Sequence, residues 1–165
     1  MAAEKLKPGA KFERKYLAHF IDEGFGAEPV SYKRLGKDLE DYSVNFNYSV
    51  DPKNNIIGDN SLNVQPPKLD SSASTYYAEK DDKIAMRLFE AGMEGSTENL
   101  KTTVVDAVFD ADGACIVAYK HDCIVTPESA GGDTSGVNIP FKVTYAGNTQ
   151  KGTFDLKEKT FSPAL

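Results

Sequence analysis

The chain has 165 residues, 40% of them hydrophobic, and its 25 acidic against 19 basic side chains give a net charge of -6 at pH 7. That balance excludes a protein that holds nucleic acid by the charge of its whole surface. Mean hydropathy is -0.44, and no apolar run approaches the roughly 20 residues that a membrane-spanning helix needs, which excludes a helical membrane protein.

Positive charge clusters early. Lys5, Lys7, Lys11, Arg14 and Lys15 stand against Glu4 and Glu13. The segment reads as a solvated tail or as an arm that docks on an acidic neighbouring surface. It has no apolar stretch of the signal-peptide kind, so use without secretion by that route is expected. Residues 1–24 are expected to form the arm, and residues 25–165 a single β domain. Residues 11–22 mix apolar and charged side chains without a clean period and fit a strand or a short helix. Gly24, Gly26 and Pro29 break the chain. Residues 30–35 read as a weak strand and 36–41 as a polar corner.

Residues 41–50, DYSVNFNYSV, alternate strictly. Tyr42, Val44, Phe46, Tyr48 and Val50 share one parity, and Ser43, Asn45, Asn47 and Ser49 the other. A strand sends successive side chains to opposite faces, so one face is expected to pack on a core and the other to be wet but uncharged. Residues 51–59 are rich in turn formers. Residues 60–75 read as extended and polar, and Pro66-Pro67 forbids helix there. Together 51–75 form a long connection of the kind that is functional or mobile in compact domains.

Residues 81–91 are expected to be a helix, with Ile84, Ala85, Leu88 and Phe89 as its apolar stripe. Asp81 or Asp82 caps it and Gly92 stops it. Residues 102–109 and 114–125 form a hairpin around the turn 110–113. Cys115 and Cys123 lie eight apart in its second strand, on one face and about 26 Å apart at ~3.3 Å per residue. They read as two reduced, partly buried thiols that cannot bridge within the strand. Residues 127–136 are a polar loop, and 136–145 alternate again, with Pro140 disfavouring a central position. Residues 146–148 are expected to turn the chain, 149–156 to pair back, and 160–161 to add a last short strand. The class is mainly β (α+β): a β-sandwich or partly open barrel with one packed helix.

No constellation carries an obvious chemistry. His121 and Cys123 share a strand face, but no further Cys/His pair completes a metal site. Gly131, Gly132 and Gly136 lead into a strand without the lysine of a phosphate loop. No catalytic residue, cofactor or metal is expected.

The runs YKRLGKDLEDYSVNFNYSVDPKNNIIGDNS, STYYAEKDDKIAMRLFEA and GGDTSGVNIPFKVTYAGNTQKGTFDLKEKTF resemble the major tail tube protein of long-tailed bacteriophages or prophages of Gram-positive hosts. The resemblance spans roughly residues 32–161. It implies six copies closing into rings that stack into a hollow tube, with DNA as transient cargo in a β-barrel lumen. It implies residence in the virion tail after assembly in the host cytoplasm, tape-measure, tail-terminator and tail-tip proteins as further partners, and no membrane. Under it Ser43, Asn45, Asn47 and Ser49 would face the lumen. Asn54, Asn55, Ile56, Ile57, Asn60, Leu62, Val64 and Pro66 would form an inter-ring loop. Lys11, Phe12, Arg14, Phe161 and Leu165 would belong to interlocking arms. The other reading is a monomeric β-sandwich that binds a carbohydrate or a receptor.

Overall fold

In the computed structural model, which describes residues 8–37, 39–58 and 60–165, most strands join one antiparallel sheet. Its members are β1 (Leu17–Asp22), β2 (Tyr32–Leu35), β3 (Ser43–Asn45), β6 (Asp70–Ala73), β7 (Lys101–Phe109), β8 (Cys115–Pro127), β11 (Phe141–Asp155) and β12 (Thr160–Pro163). The order is β2-β1-β7-β8-β11-β6-β3, with β12 beside β11. Two hairpins stand apart from it: β4 (Ser49–Asn54) with β5 (Asn60–Gln65), and β9 (Gly131–Asp133) with β10 (Gly136–Asn138). One α-helix, α1 (Lys83–Glu94), completes the set. The protein is therefore mainly β with a single packed helix, as its composition and alternation predict.

Both faces of the sheet are apolar, and they are covered differently. On one face Ile21, Val104, Cys123, Val125, Phe141 and Val143 meet Ile84, Ala85, Leu88 and Ala91 of α1. Burying Ile84 and Leu88 completely contributes about 2 kcal/mol each. On the other face Ala18, Phe20, Val105, Ala107, Phe109 and Ala118 surround Phe154. Phe20 and Phe154 stack at 4.1 Å although two strands separate theirs in the sheet. The far end of the sheet therefore curls over its own face, giving two layers.

The curl has a local cause. Residues 146–148, expected to reverse the chain, are instead bulges within the continuous β11, where its register with β8 shifts on either side of Gly147. Gly147 and Asn148 have φ of 94° and 53°. Left-handed residues in a paired strand bend it without ending it. A second bulge, between Val108 and Phe109 against β8, corrects the reading of the cysteines. It moves Cys115 to the aromatic face while Cys123 sits in the helix-covered core, so the two thiols lie on opposite faces.

The helix runs past the expected stop. Asp82 caps it by accepting from the amides of Ile84 and Ala85, both at 3.1 Å. It ends at Gly95, whose φ of 68° is the left-handed conformation that glycine adopts without strain, and Gly92 lies inside it. Residues 11–22 contain both expected elements, a 3₁₀ turn (Arg14–Tyr16) and then β1. Because β1 pairs with β2 and β7, the arm gives way to the sheet at Leu17, ahead of the expected boundary at residue 24.

Candidate assembly site

The 41–50 alternation does not make one strand. β3 ends at Asn45, and Asn47 takes a left-handed φ of 54° before β4 begins at Ser49. An asparagine tolerates that conformation where most residues do not. Its side chain also bonds the other leg, Asn47 Nδ2 donating to the carbonyl of Lys68 at 2.8 Å. The segment therefore splits into an edge strand on the body and the first strand of a projecting hairpin. Residues 51–75, expected as an irregular connection, are in fact most of that hairpin followed by β6.

The hairpin pairs only with itself, and all twelve of its strand residues are exposed. Its register sets Val50 opposite Val64 and Pro52 opposite Leu62, while Ser49, Asp51, Lys53, Ser61, Asn63 and Gln65 occupy the other face. One face is thus apolar, yet nothing covers it. At the tip, Asn55 Oδ1 accepts from the Ile57 amide at 3.2 Å, the Gly58 amide donates to the Asn55 carbonyl, and Gly58 has φ of 84°. The tight turn thrusts Ile56 and Ile57 into solvent, Ile56 wholly exposed and Ile57 78% exposed. An isolated two-stranded ribbon is marginal in water, and this one exposes its apolar face with no base layer among the described residues. The structure thus brings Asn54, Asn55, Ile56, Ile57, Asn60, Leu62 and Val64 together on one element, with Pro66 at its exit.

Of the proposed lumen residues, only Ser43 and Asn45 share a sheet face. They pair with Ser72 and Asp70, next to Lys142 and Thr144 of β11. Asn45 Nδ2 donates to Asp70 Oδ1 at 3.1 Å, and Lys142 Nζ lies 3.9 Å from Asp70 Oδ2, so the local charges are paired. Asn47 is in the break and Ser49 on the hairpin. The apolar parity is corrected too. Tyr42 is buried, but Phe46, Tyr48 and Val50 are 59%, 62% and 53% exposed and do not pack on the core. Parity survives in the local geometry, but the body ends before these side chains can reach it.

Where the hairpin leaves the body there is an open apolar cleft of about 470 Å3. Val44, Phe46, Tyr48, Pro67 and Leu69 form its rim on the hairpin side, and Leu17, Val108, Val117 and Tyr119 its opposite wall. His19, Asp106, His121 and Thr149 form a polar floor.

That floor is fully bonded. Asp106 accepts from His19 Nδ1 at 2.5 Å and from the Tyr145 hydroxyl at 2.6 Å. Arg14 contacts His19 Nε2 at 3.1 Å and donates to the carbonyls of Leu17 (2.5 Å) and Tyr42 (2.7 Å). The Ser71 hydroxyl donates to Tyr42. His121 Nδ1 lies 3.0 Å from Thr149 Oγ1. Burial, with the charge of Asp106 adding to it, holds the Tyr145 phenol far above its ordinary pKa, so it remains a donor. Burial raises Tyr42 in the same way. Burial lowers His121, and the Asp106 charge only partly opposes that, so the imidazole favours its neutral form. Sequence reading missed this cluster. Its one visible trace was the i, i+2 spacing of a histidine and a core residue in LAHFID.

Burial also pushes the Cys123 thiol well above its usual value, which disfavours its thiolate. Among the described residues no cluster of His, Cys, Asp and Glu suits a metal ion.

Of the arm residues, Lys11 and Phe12 are exposed, and the Phe12 ring packs edge-on against Tyr16 at 5.7 Å. Arg14 is part of the floor network. Phe161 lies in β12 opposite Phe154 and packs on the aromatic core, so it is fold rather than free arm. Leu165 is exposed. Glu4, Lys5 and Lys7 lie outside the described residues. No protein-family model matches the chain, and no curated protein matches it.

Proposed function

We propose that this chain is a structural, self-assembling subunit of a phage tail tube, in which hexameric rings stack around a lumen that conducts DNA during genome ejection. The observation that carries the reading is the β4–β5 hairpin: a projecting ribbon with one apolar face, an apolar tip and no cover from the described residues of its own chain. Such a surface is a large cost to a monomer and an interface for a polymer. The resemblance in residues 32–161 supplies the type of assembly and the number of copies. The charge-balanced face around Ser43, Asn45, Asp70 and Lys142 fits a wall that phosphate must not grip. Tape-measure, terminator and tail-tip proteins would be the other partners, and the virion tail the location.

The test is electron microscopy and light scattering of the purified full chain beside a variant in which residues 50–64 are replaced by a short glycine-asparagine turn. Rings or tubes from the parent and a folded monomer from the variant are expected. A parent that stays monomeric at high concentration, with and without tail tips to seed it, overturns the proposal.

A second reading has one specific support. Phe46, Tyr48 and Tyr119 expose aromatic rings around the cleft, as sugar-binding modules do. A monomer whose tyrosine fluorescence titrates saturably with a glycan would favour that reading.

A further inference from the structure

The hairpin tip and the cleft are complementary surfaces that a single copy cannot bring together. At the tip Ile56 is wholly exposed and Ile57 is 78% exposed, so neither side chain is covered by its own body. Phe46, Tyr48 and Pro67 are both the root of the hairpin and the rim of the cleft. A six-residue strand is roughly 20 Å long, so a hairpin rooted on the rim carries its tip that far from its own cleft.

We propose that the apolar cleft between the hairpin root and strands β1, β7 and β8 is the receptor for the Ile56–Ile57 tip of a second copy of this chain. The inference rests on the self-assembly reading above and names the contact through which copies join. Charge favours this occupant. The tip, Asn54-Asn55-Ile56-Ile57-Gly58, carries no charge. The carboxylate on the cleft floor, Asp106, already has one oxygen bonded by His19 and the other by Tyr145. An uncharged apolar guest leaves those bonds intact, whereas a charged guest would have to compete with them. Size favours it too, because two isoleucine side chains fit within about 470 Å3.

The contact is heterologous: each copy gives a tip and receives one. Passed on in one direction, such a contact closes a ring where the rotation closes and otherwise extends a chain of subunits. One tip buries only a few hundred Å2, well below the roughly 1,200 Å2 of a stable interface. A single contact is thus weak in dilute solution and becomes effective when several act together.

The test uses two full-length variants, Ile57→Cys and Tyr119→Cys, mixed at high concentration under mild oxidation. Non-reducing electrophoresis and peptide mass spectrometry identify the bonds, and the same samples are imaged by negative stain. Parent chain and each variant alone control for Cys115 and Cys123. The expected result is a 57–119 disulfide between copies in the mixture, several-fold above any bond in the controls. Adding Ile56→Asp to the tip variant should lower its yield roughly tenfold. A dominant 57–57 bond, no 57–119 bond, or a yield indifferent to Ile56→Asp overturns the proposal. Tubes without the 57–119 bond sink the cleft contact and leave the tube reading standing. The 57–119 bond without rings or tubes keeps the contact and sinks the tube reading.

Discussion

His19 and Asp106 meet at 2.5 Å across the β1–β7 pairing, directly beneath the apolar cleft. The histidine is almost wholly buried and the carboxylate nearly so, and Tyr145 bonds the other carboxylate oxygen. The network thus ties β1, β7 and β11 together where neither α1 nor the curled end of the sheet covers them.

Asp106→Ala removes the acceptor shared by the buried His19 and the half-buried Tyr145. Losing both bonds should cost about 3 kcal/mol, read as a lower urea midpoint with an unchanged slope. Asp106→Asn, which retains an acceptor, should cost less. Equal stability of Asp106→Ala and parent would show that the network does not hold the floor.

His121 predicts a pH dependence. Its folded pKa is lowered by burial, so below its ordinary value of about 6.5 the unfolded chain takes up a proton more readily than the folded one. Stability should therefore fall as pH drops from about 6.5 through the lowered folded value. Melting curves of the parent and His121→Gln between pH 7.5 and 5 should show a flatter pH dependence in the variant. Parallel dependences would assign the effect to other groups.

Asp82 has more than a cap to hold. Besides the two helix amides, its carboxylate accepts from the Tyr76 hydroxyl at 2.7 Å and pairs with Lys33 Nζ at 3.3 Å. Burial opposes its charge, but these bonds outweigh burial and keep its pKa below the usual carboxylate value. Its stabilising effect should be present above about pH 4 and be lost as pH falls through the lowered folded value. Asp82→Ala should cost about 2 kcal/mol at neutral pH by denaturant titration, more than a cap alone.

Asn47 sets the hairpin root. Asn47→Gly keeps the left-handed backbone but loses the bond to Lys68, so it should cost below about 1 kcal/mol. Asn47→Val also strains the backbone and should cost about 1–2 kcal/mol more. Thermal melts that rank Val at or above Gly would contradict the assigned conformation.

Much of the fold was legible because it is written in local pattern. The stripe Ile84, Ala85, Leu88 and the cap at Asp82 specify the helix. The alternation in 102–109 and 114–125 specifies the central hairpin. Three of the failures share one cause, positive-φ residues whose effect depends on what the neighbouring chain does. Asn47 breaks a strand, whereas Gly147 and Asn148 bend one without ending it, and Gly95 ends the helix where Gly92 does not. The candidate site was half legible. The residues of the tip were marked by their turn chemistry, but the cleft was not, because it draws on six separate stretches of chain.

By itself the sequence determined the helical stripe and the alternation within each uninterrupted strand, since period and parity follow from backbone geometry within a few residues, but not past the bulge before Cys115 or the break at Asn47. Only the tertiary structure decided which of those faces are covered. Tyr42 and Val50 stand on the same parity, yet Tyr42 is buried against His19 and Val50 is in water. Burial depends on what distant segments bring to a face, and past Asn47 none of the described residues outside the hairpin covers it.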